Sequence, residues 1–305
     1  MAGPGTWAGK RVLITGAAGF IGSHLVRQLT GCGAHIFAAT SPGRDPQPGP
    51  HPLPFDVRDG QAVRDAVDRA GPHVVFHLAA VGVTHPAVDP MLALMVNAGG
   101  AVNLLEALRE RDVQRIVLVG TSHEYGAREA REGLDPFSAY AASKVAAWAY
   151  GRTYWRAFGL PVVTVRPFQV YGPGQAEEAL IPGTIRAAIS GEDFSVTPGE
   201  QELDFVYVED VTDGMVAAAQ APDIEGESLD LGTGAGHTIR SIVDRIWRLT
   251  GAEGMVRVGA LPYRSGGPMR LVADAERTAE LVGWRATTPI EEGLRATIRS
   301  LAEER

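Results

Sequence analysis

Apolar and polar positions follow two rhythms along this chain. Short apolar runs read as buried strands: Val12 to Ile14, Ala34 to Ala39, Val74 to Leu78, Arg115 to Val119, Pro161 to Val165 and Leu229 to Leu231. Longer stretches between them read as helices: Ser23 to Leu29, Gln61 to Ala70 capped by Asp59, Met91 to Arg111, Ala139 to Phe158, Val211 to Ala219 and Ser241 to Leu249. Ser41 to Pro54 holds six prolines and two glycines and reads as an irregular loop, with a short third strand at Phe55-Asp56-Val57 after it. Strands alternating with helices predict an α/β fold with a parallel, doubly wound sheet.

The second half is less regular. Gly172 to Gln175 reads as a turn, Ile181 to Ser190 as a helix and Phe194 to Val196 as extended. Asp204 to Val208 leads into the next helix, and the last ~55 residues mix a short strand, a loop and two helices. The expectation is a sheet domain over 1–171 and 203–249, with a small discontinuous substrate lobe from 172–202 and 250–305. Residues 1–10 read as a short flexible leader.

The first strand runs into Gly16, Gly19 and Gly22, and a helix opens behind them. A strand, a glycine-rich turn and a helix make a phosphate cradle. Gly16 allows a tight turn, Gly19 lets the backbone approach a pyrophosphate, and Gly22 lets helix pack on strand. The helix N-terminus offers free N–H groups to the anion. The predicted cradle is therefore Gly16, Gly19, Phe20, Ile21 and Gly22, binding a dinucleotide.

Composition narrows the partners. With 305 residues and 45% apolar content, the chain can bury a large core. A net charge of −8 argues against a general nucleic-acid or membrane-surface binder. Cys32 is the single cysteine, so neither an intrachain disulfide nor a thiolate metal cluster is expected, and no metal site is predicted. With neither a signal-peptide pattern nor an apolar run of membrane-spanning length, a cytoplasmic location is the default expectation.

Tyr140 and Lys144 stand four residues apart on one helix face. A free phenol has a pKa of ~10. An ammonium about 5 Å away, at an effective dielectric of ~20, stabilises the phenolate by roughly 3 kcal/mol and draws the phenol toward neutrality. Thr121, just beyond the strand ending at Val119, sits at the ligand edge of such a sheet.

With these pieces the chain resembles the extended short-chain dehydrogenase/reductase family of nucleotide-sugar epimerases, dehydratases and ketoreductases. Further matches follow in order: His77-Leu78-Ala79-Ala80, Asn97, Asn103 to Ala107, Arg166 to Gly174 and Asp204 to Val211. The resemblance implies a Rossmann-type fold, with Tyr140 as acid/base, Thr121 bonding the sugar's reacting oxygen, and Lys144 tuning Tyr140 and holding the nicotinamide ribose. It implies cofactor contacts at Thr40, Ser41, Arg44, Asp56, Val57, Leu78, Ala79, Ala80, Asn97 and Pro167 beside the cradle. Substrate contacts fall to Thr121, Ser122, His123, Gln169 and Arg264. His77 is expected to be a packed strand-end histidine.

Departures from the family pattern refine the expectation. NAD-selective members carry an Asp at the end of the second strand; here Thr40 and Ser41 stand there with Arg44 nearby, which favours NADP(H) over NAD(H). His123 occupies the place of the acid used by 4,6-dehydratases, and Glu124 comes one place later. Leu203 replaces an arginine that holds the diphosphate, a contact that Arg186 or Arg270 could supply instead. The first expectation is thus NADPH-dependent reduction of a nucleotide-linked 4-keto-6-deoxy sugar. The alternatives are a nucleotide-sugar 4-epimerase with tightly held NAD and, outside catalysis, a dinucleotide-sensing protein. The family implies a homodimer through the helices at 91–111 and 139–158.

Overall fold

A computed structural model describes residues 6–43, 51–83, 88–128, 132–263 and 266–303. Among them, seven strands form one parallel sheet. Six are β1 (Arg11–Thr15), β2 (His35–Thr40), β3 (His51–Pro54), β4 (Val74–His77), β5 (Arg115–Val119) and β6 (Val162–Pro167); the seventh is Ser228–Leu231. Their order from one edge is 228–231, β6, β5, β4, β1, β2, β3. The order reverses between β1 and β4, which opens a crevice at the carboxyl ends of those two strands.

Period-two alternation explains the unbroken apolar runs. Val12, Ile14, Phe76, Val117 and Val163 face one core, together with Leu25 and Leu29 of helix α1 (Phe20–Gly31) and with Val211 and Met215 of helix Val208–Gln220. Leu13, Val75, Ile116, Leu118 and Val162 face the other, against helix Gly60–Ala70 and the helical stretch 90–108. A sheet covered on both faces has no polar side, so its strands read as continuous hydrophobic runs.

Two expectations needed correction. The third strand is His51–Pro54, inside the proline-rich stretch, and Phe55–Val57 follows it as a loop. Prolines 52 and 54 are tolerated because β3 is the sheet edge, with their missing N–H groups on the outer side. The odd positions face inward, as the Phe55 N–H shows by donating to the Thr40 carbonyl at 3.0 Å. The leader is also partly anchored: Trp7 is buried, with its ring 6.3 Å from that of Phe76.

The helical stretch at 90–108 is broken by a π segment at Leu94–Gly99. It is long and apolar enough to cross a bilayer, yet half of its apolar window is buried inside the protein. A third core joins Tyr171, Ile181, Ile185, Phe205, Leu294 and Leu301. Ile242 and Ile246 of helix Ile239–Thr250, which the sequence reading assigns to the sheet domain, sit in this core as well.

Candidate functional site

The crevice is built first from backbone. Gly16 has φ of +70°, and a Cβ there would lie 2.8 Å from the Ala79 nitrogen; a Cβ on Gly22 would lie 2.2 Å from the Gly16 carbonyl oxygen. Only glycine fits at either place. Gly19 caps α1 with no side-chain hydrogen bond, and the first turn holds no acidic residue, so its N–H groups face an approaching anion unopposed. Phe20, Ile21, Leu78, Ala79 and Ala80 are half-buried around this turn. The Thr15 hydroxyl accepts the Ala79 N–H at 3.2 Å and meets His77 Nδ1 at 2.7 Å, which pins β4 to β1. Burial, with Lys144 nearby, pushes His77 down to about 3, so it is a neutral packed histidine. The residues fit a dinucleotide pyrophosphate.

The outer part of the crevice is more varied. Thr40 is buried at the end of β2 and Ser41 is exposed; Arg44 lies outside the described residues. Asp56 is gripped by the Arg58 guanidinium at 2.5 Å, which holds its carboxyl below the usual range. The Val57 carbonyl accepts from Asn103 Nδ2 at 2.9 Å, so the helical stretch at 90–108 fixes this loop. Asn97 is fully engaged: its Oδ1 accepts the Val81 N–H at 2.9 Å, and its Nδ2 donates to the Val81 carbonyl and the Ser143 hydroxyl. It ties the turn after β4 to helix Ala139–Phe158, and the π segment that carries it is of a kind frequent at functional sites. Pro167 is buried at the end of β6.

Helix Ala139–Phe158, capped by Ser138, brings Tyr140 and Lys144 to the same crevice. A side-chain hydrogen bond joins Thr121 to Tyr140. Lys144 Nζ donates to the Val119 carbonyl at 2.7 Å, and burial lowers this lysine to about 8. The charge balance at Tyr140 reverses the simple helix-pair expectation. Burial pushes the phenol above its ordinary value, the Thr121 hydrogen bond opposes this, and the Glu124 carboxylate adds to the rise. Spacing along a helix reveals a neighbour but not the cost of desolvating both partners.

Beside Thr121, Ser122 is buried in the 3-10 turn Ser122–Tyr125. His123 stands with its ring 6.4 Å from that of Tyr140 and 5.3 Å from that of Phe137. Its Nε2 is 3.4 Å from Gln169 Nε2, so these two predicted contacts meet beside the phenol. Arg264 lies outside the described residues. Arg186 pairs with Glu177 and Arg270 with Glu202, while Leu203 packs into the cores.

Sequence reasoning left Glu124 and Arg166 without roles. Glu124 is completely buried, and its carboxylate takes the Thr121 N–H on one oxygen and Arg166 Nε on the other. The available signal was a charged residue near a strand end: Arg166 within the apolar strand Val162–Pro167, and Glu124 in the turn just beyond β5.

Comparison with known proteins gives a consistent picture. The family model described as "NAD dependent epimerase/dehydratase family" matches residues 12–232. A UDP-glucose 4-epimerase of Mycolicibacterium smegmatis is 30% identical over 308 residues, spanning 94% of this chain and 97% of its own. A UDP-N-acetyl-alpha-D-glucosaminuronate decarboxylase of Bacillus cytotoxicus is 28% identical, spanning 96% and 98%. The structure of the Thermus thermophilus UDP-glucose 4-epimerase complex with NAD matches with a TM-score of 0.87 at 31% identity, over 96% of this chain and 99% of that one.

Proposed function

The chain belongs to the NAD dependent epimerase/dehydratase family, and we propose that within it the protein is a nucleotide-sugar 4-epimerase that keeps its dinucleotide bound. This reorders the sequence expectation, which put ketoreduction first. The two 4-epimerases described above span nearly all of the chain. The observation that carries the reading is the Thr121–Tyr140 hydrogen bond at the carboxyl edge of the sheet, with the Glu124 carboxylate locked onto Arg166. A dehydratase needs a carboxylic acid free to reach the sugar. Glu124 is buried and doubly engaged, and His123 holds the neighbouring place. Epimerisation needs only one acid/base, used twice.

Gly16, Gly19 and the first turn of α1 would hold the pyrophosphate, and Lys144 the nicotinamide ribose. A bound nicotinamide supplies reversible hydride acceptance and, when oxidised, a positive charge that favours the Tyr140 phenolate. The Tyr140 oxygen would then take the proton of the sugar 4-hydroxyl as C4 loses its hydrogen, and return it to the same oxygen once the ring has turned over and C4 regains the hydrogen on its opposite face. Thr121 hydrogen-bonds that oxygen throughout, and His123 and Gln169 border the space in which the sugar turns.

A second reading, reduction of a nucleotide-linked 4-keto sugar with NADPH, is supported by Thr40 and Ser41, where an NAD-selective chain carries an acid. One assay separates the two. Incubating the purified protein with UDP-glucose yields the C4 epimer with no net change in reduced-nicotinamide absorbance under the first reading. Stoichiometric loss of added NADPH with a 4-keto nucleotide sugar, and no epimer, supports the second.

We also infer a homodimer. Met91, Leu94 and Met95 on one helix and Tyr150 and Phe158 on its neighbour expose large apolar side chains, 46% to 60% accessible. A second copy of the chain would cover them. Light scattering of a Met91→Asp/Met95→Asp variant should then report a monomer.

A further inference from the structure

The turn that carries Thr121 is held by a buried chain of charges. Glu124 Oε1 accepts the Thr121 N–H at 2.8 Å and its Oε2 accepts Arg166 Nε at 2.7 Å. The carboxylate lies over Gly120, where a Cβ would come within 2.3 Å of Oε1, so any larger residue would displace it. The Arg166 guanidinium sits 5.2 Å from the centre of the Tyr125 ring and 5.6 Å from that of Trp148. Trp148 is one turn beyond Lys144 on the helix that also carries Tyr140. Arg166 donates to the Tyr125 hydroxyl, which donates to Asp230 Oδ1 at 2.6 Å. Thr121 and Glu124 form a reciprocal capping box, which orients the threonine side chain and main chain together.

We propose that Glu124, clamped by Arg166, is a positioning residue that fixes the Thr121 hydroxyl against Tyr140 and holds the strand-end turn in register with the Tyr140–Lys144 helix. The proposal rests on the proton-transfer role given to Tyr140 above. It assigns no contact with substrate to Glu124; the residue acts through Thr121. A second consequence follows from its charge: one buried carboxylate beside two protonatable groups keeps both protonated to higher pH, and both Tyr140 and Lys144 feel it in that direction.

The chain offers a clean test, because Lys10 and Lys144 are its only lysines. Protein labelled with 13C-lysine gives two side-chain resonances, and Lys10→Arg assigns them. In the Glu124→Gln protein the Lys144 midpoint should fall from about 8 by roughly one pH unit, the scale of one nearby unit charge in an effective dielectric of ~20. The turnover number for epimerisation should fall at least about tenfold, with KM for the sugar nucleotide changed less than about twofold, as for an interaction made only in the transition state. If Glu124→Gln does not fold, Glu124→Gln/Arg166→Gln removes both charges together and should shift Lys144 in the same direction by less. A folded variant with an unmoved Lys144 midpoint, or with wild-type turnover, overturns the proposal. The resonance needs no substrate, so a wild-type protein that epimerises nothing would sink the functional reading and leave this measurement decisive for Glu124.

Discussion

The two walls of the crevice are made in opposite ways. The cradle at Gly16 to Gly22 is shaped by backbone and by the exclusion of side chains, since a Cβ at Gly22 would strike the Gly16 carbonyl. The facing wall, from Thr121 to Tyr125 and along helix Ala139–Phe158, is shaped by buried side chains that cancel one another's charge. The first wall offers an anion a fixed backbone geometry that needs no tuning. The second must keep a phenol, an ammonium and a carboxylate out of water together, and the Glu124 carboxylate favours the protonated form of both Tyr140 and Lys144. One wall is intolerant of added atoms; the other is intolerant of altered charge.

That contrast breaks most visibly at Gly22. A Gly22→Val protein has no room for its side chain against backbone and should lose bound dinucleotide entirely, read as the absence of nicotinamide nucleotide released on denaturing the purified protein. Dinucleotide retained at wild-type stoichiometry would mean that the cradle is not the binding wall.

On the other wall, Glu124→Gln leaves the Arg166 charge buried without its partner and should cost about 3–5 kcal/mol in urea unfolding. Removing both charges should cost clearly less, because the desolvation penalty goes with them. Equal losses in the single and double variants would contradict a charge-balanced wall.

Asp230 sharpens the comparison through pH. Burial raises it to about 6, above the ordinary carboxyl value. A carboxyl raised in the folded state contributes stability that is full below the unfolded pKa of ~4 and is lost as pH climbs through 6. The wild type should therefore lose up to about 3 kcal/mol relative to Asp230→Asn between pH 4 and pH 7. A difference that is flat across that window removes Asp230 from the charge network. The smallest of these effects is expected at Thr121. Thr121→Val keeps the backbone N–H that Glu124 holds and should lower turnover about 10- to 100-fold, the cost of one hydrogen bond to a developing charge.

The same division governs what the sequence makes legible. Gly16, Gly19 and Gly22 act within seven residues of chain, so their spacing announces the cradle. Alternation of apolar runs likewise reveals the sheet, and the Tyr140–Lys144 pair is visible on its helix. Glu124 and Arg166 lie 42 positions apart and Tyr125 and Asp230 lie 105 apart, so nothing local couples them. The upward push on Tyr140 was hidden for a related reason: it comes from burial, a property of the whole packing. The proline-rich strand at 51–54 escaped because proline forbids interior pairing but not the edge position that β3 occupies.

The central claim is that Tyr140 moves the proton of a sugar hydroxyl beside a bound dinucleotide. Its most direct test compares wild type with Tyr140→Phe, with UDP-glucose as substrate and dinucleotide content measured in both. The account predicts conversion to the C4 epimer by wild type and a loss of at least about a hundredfold in the phenylalanine protein, with dinucleotide still bound. A Tyr140→Phe protein that epimerises at the wild-type rate would contradict it.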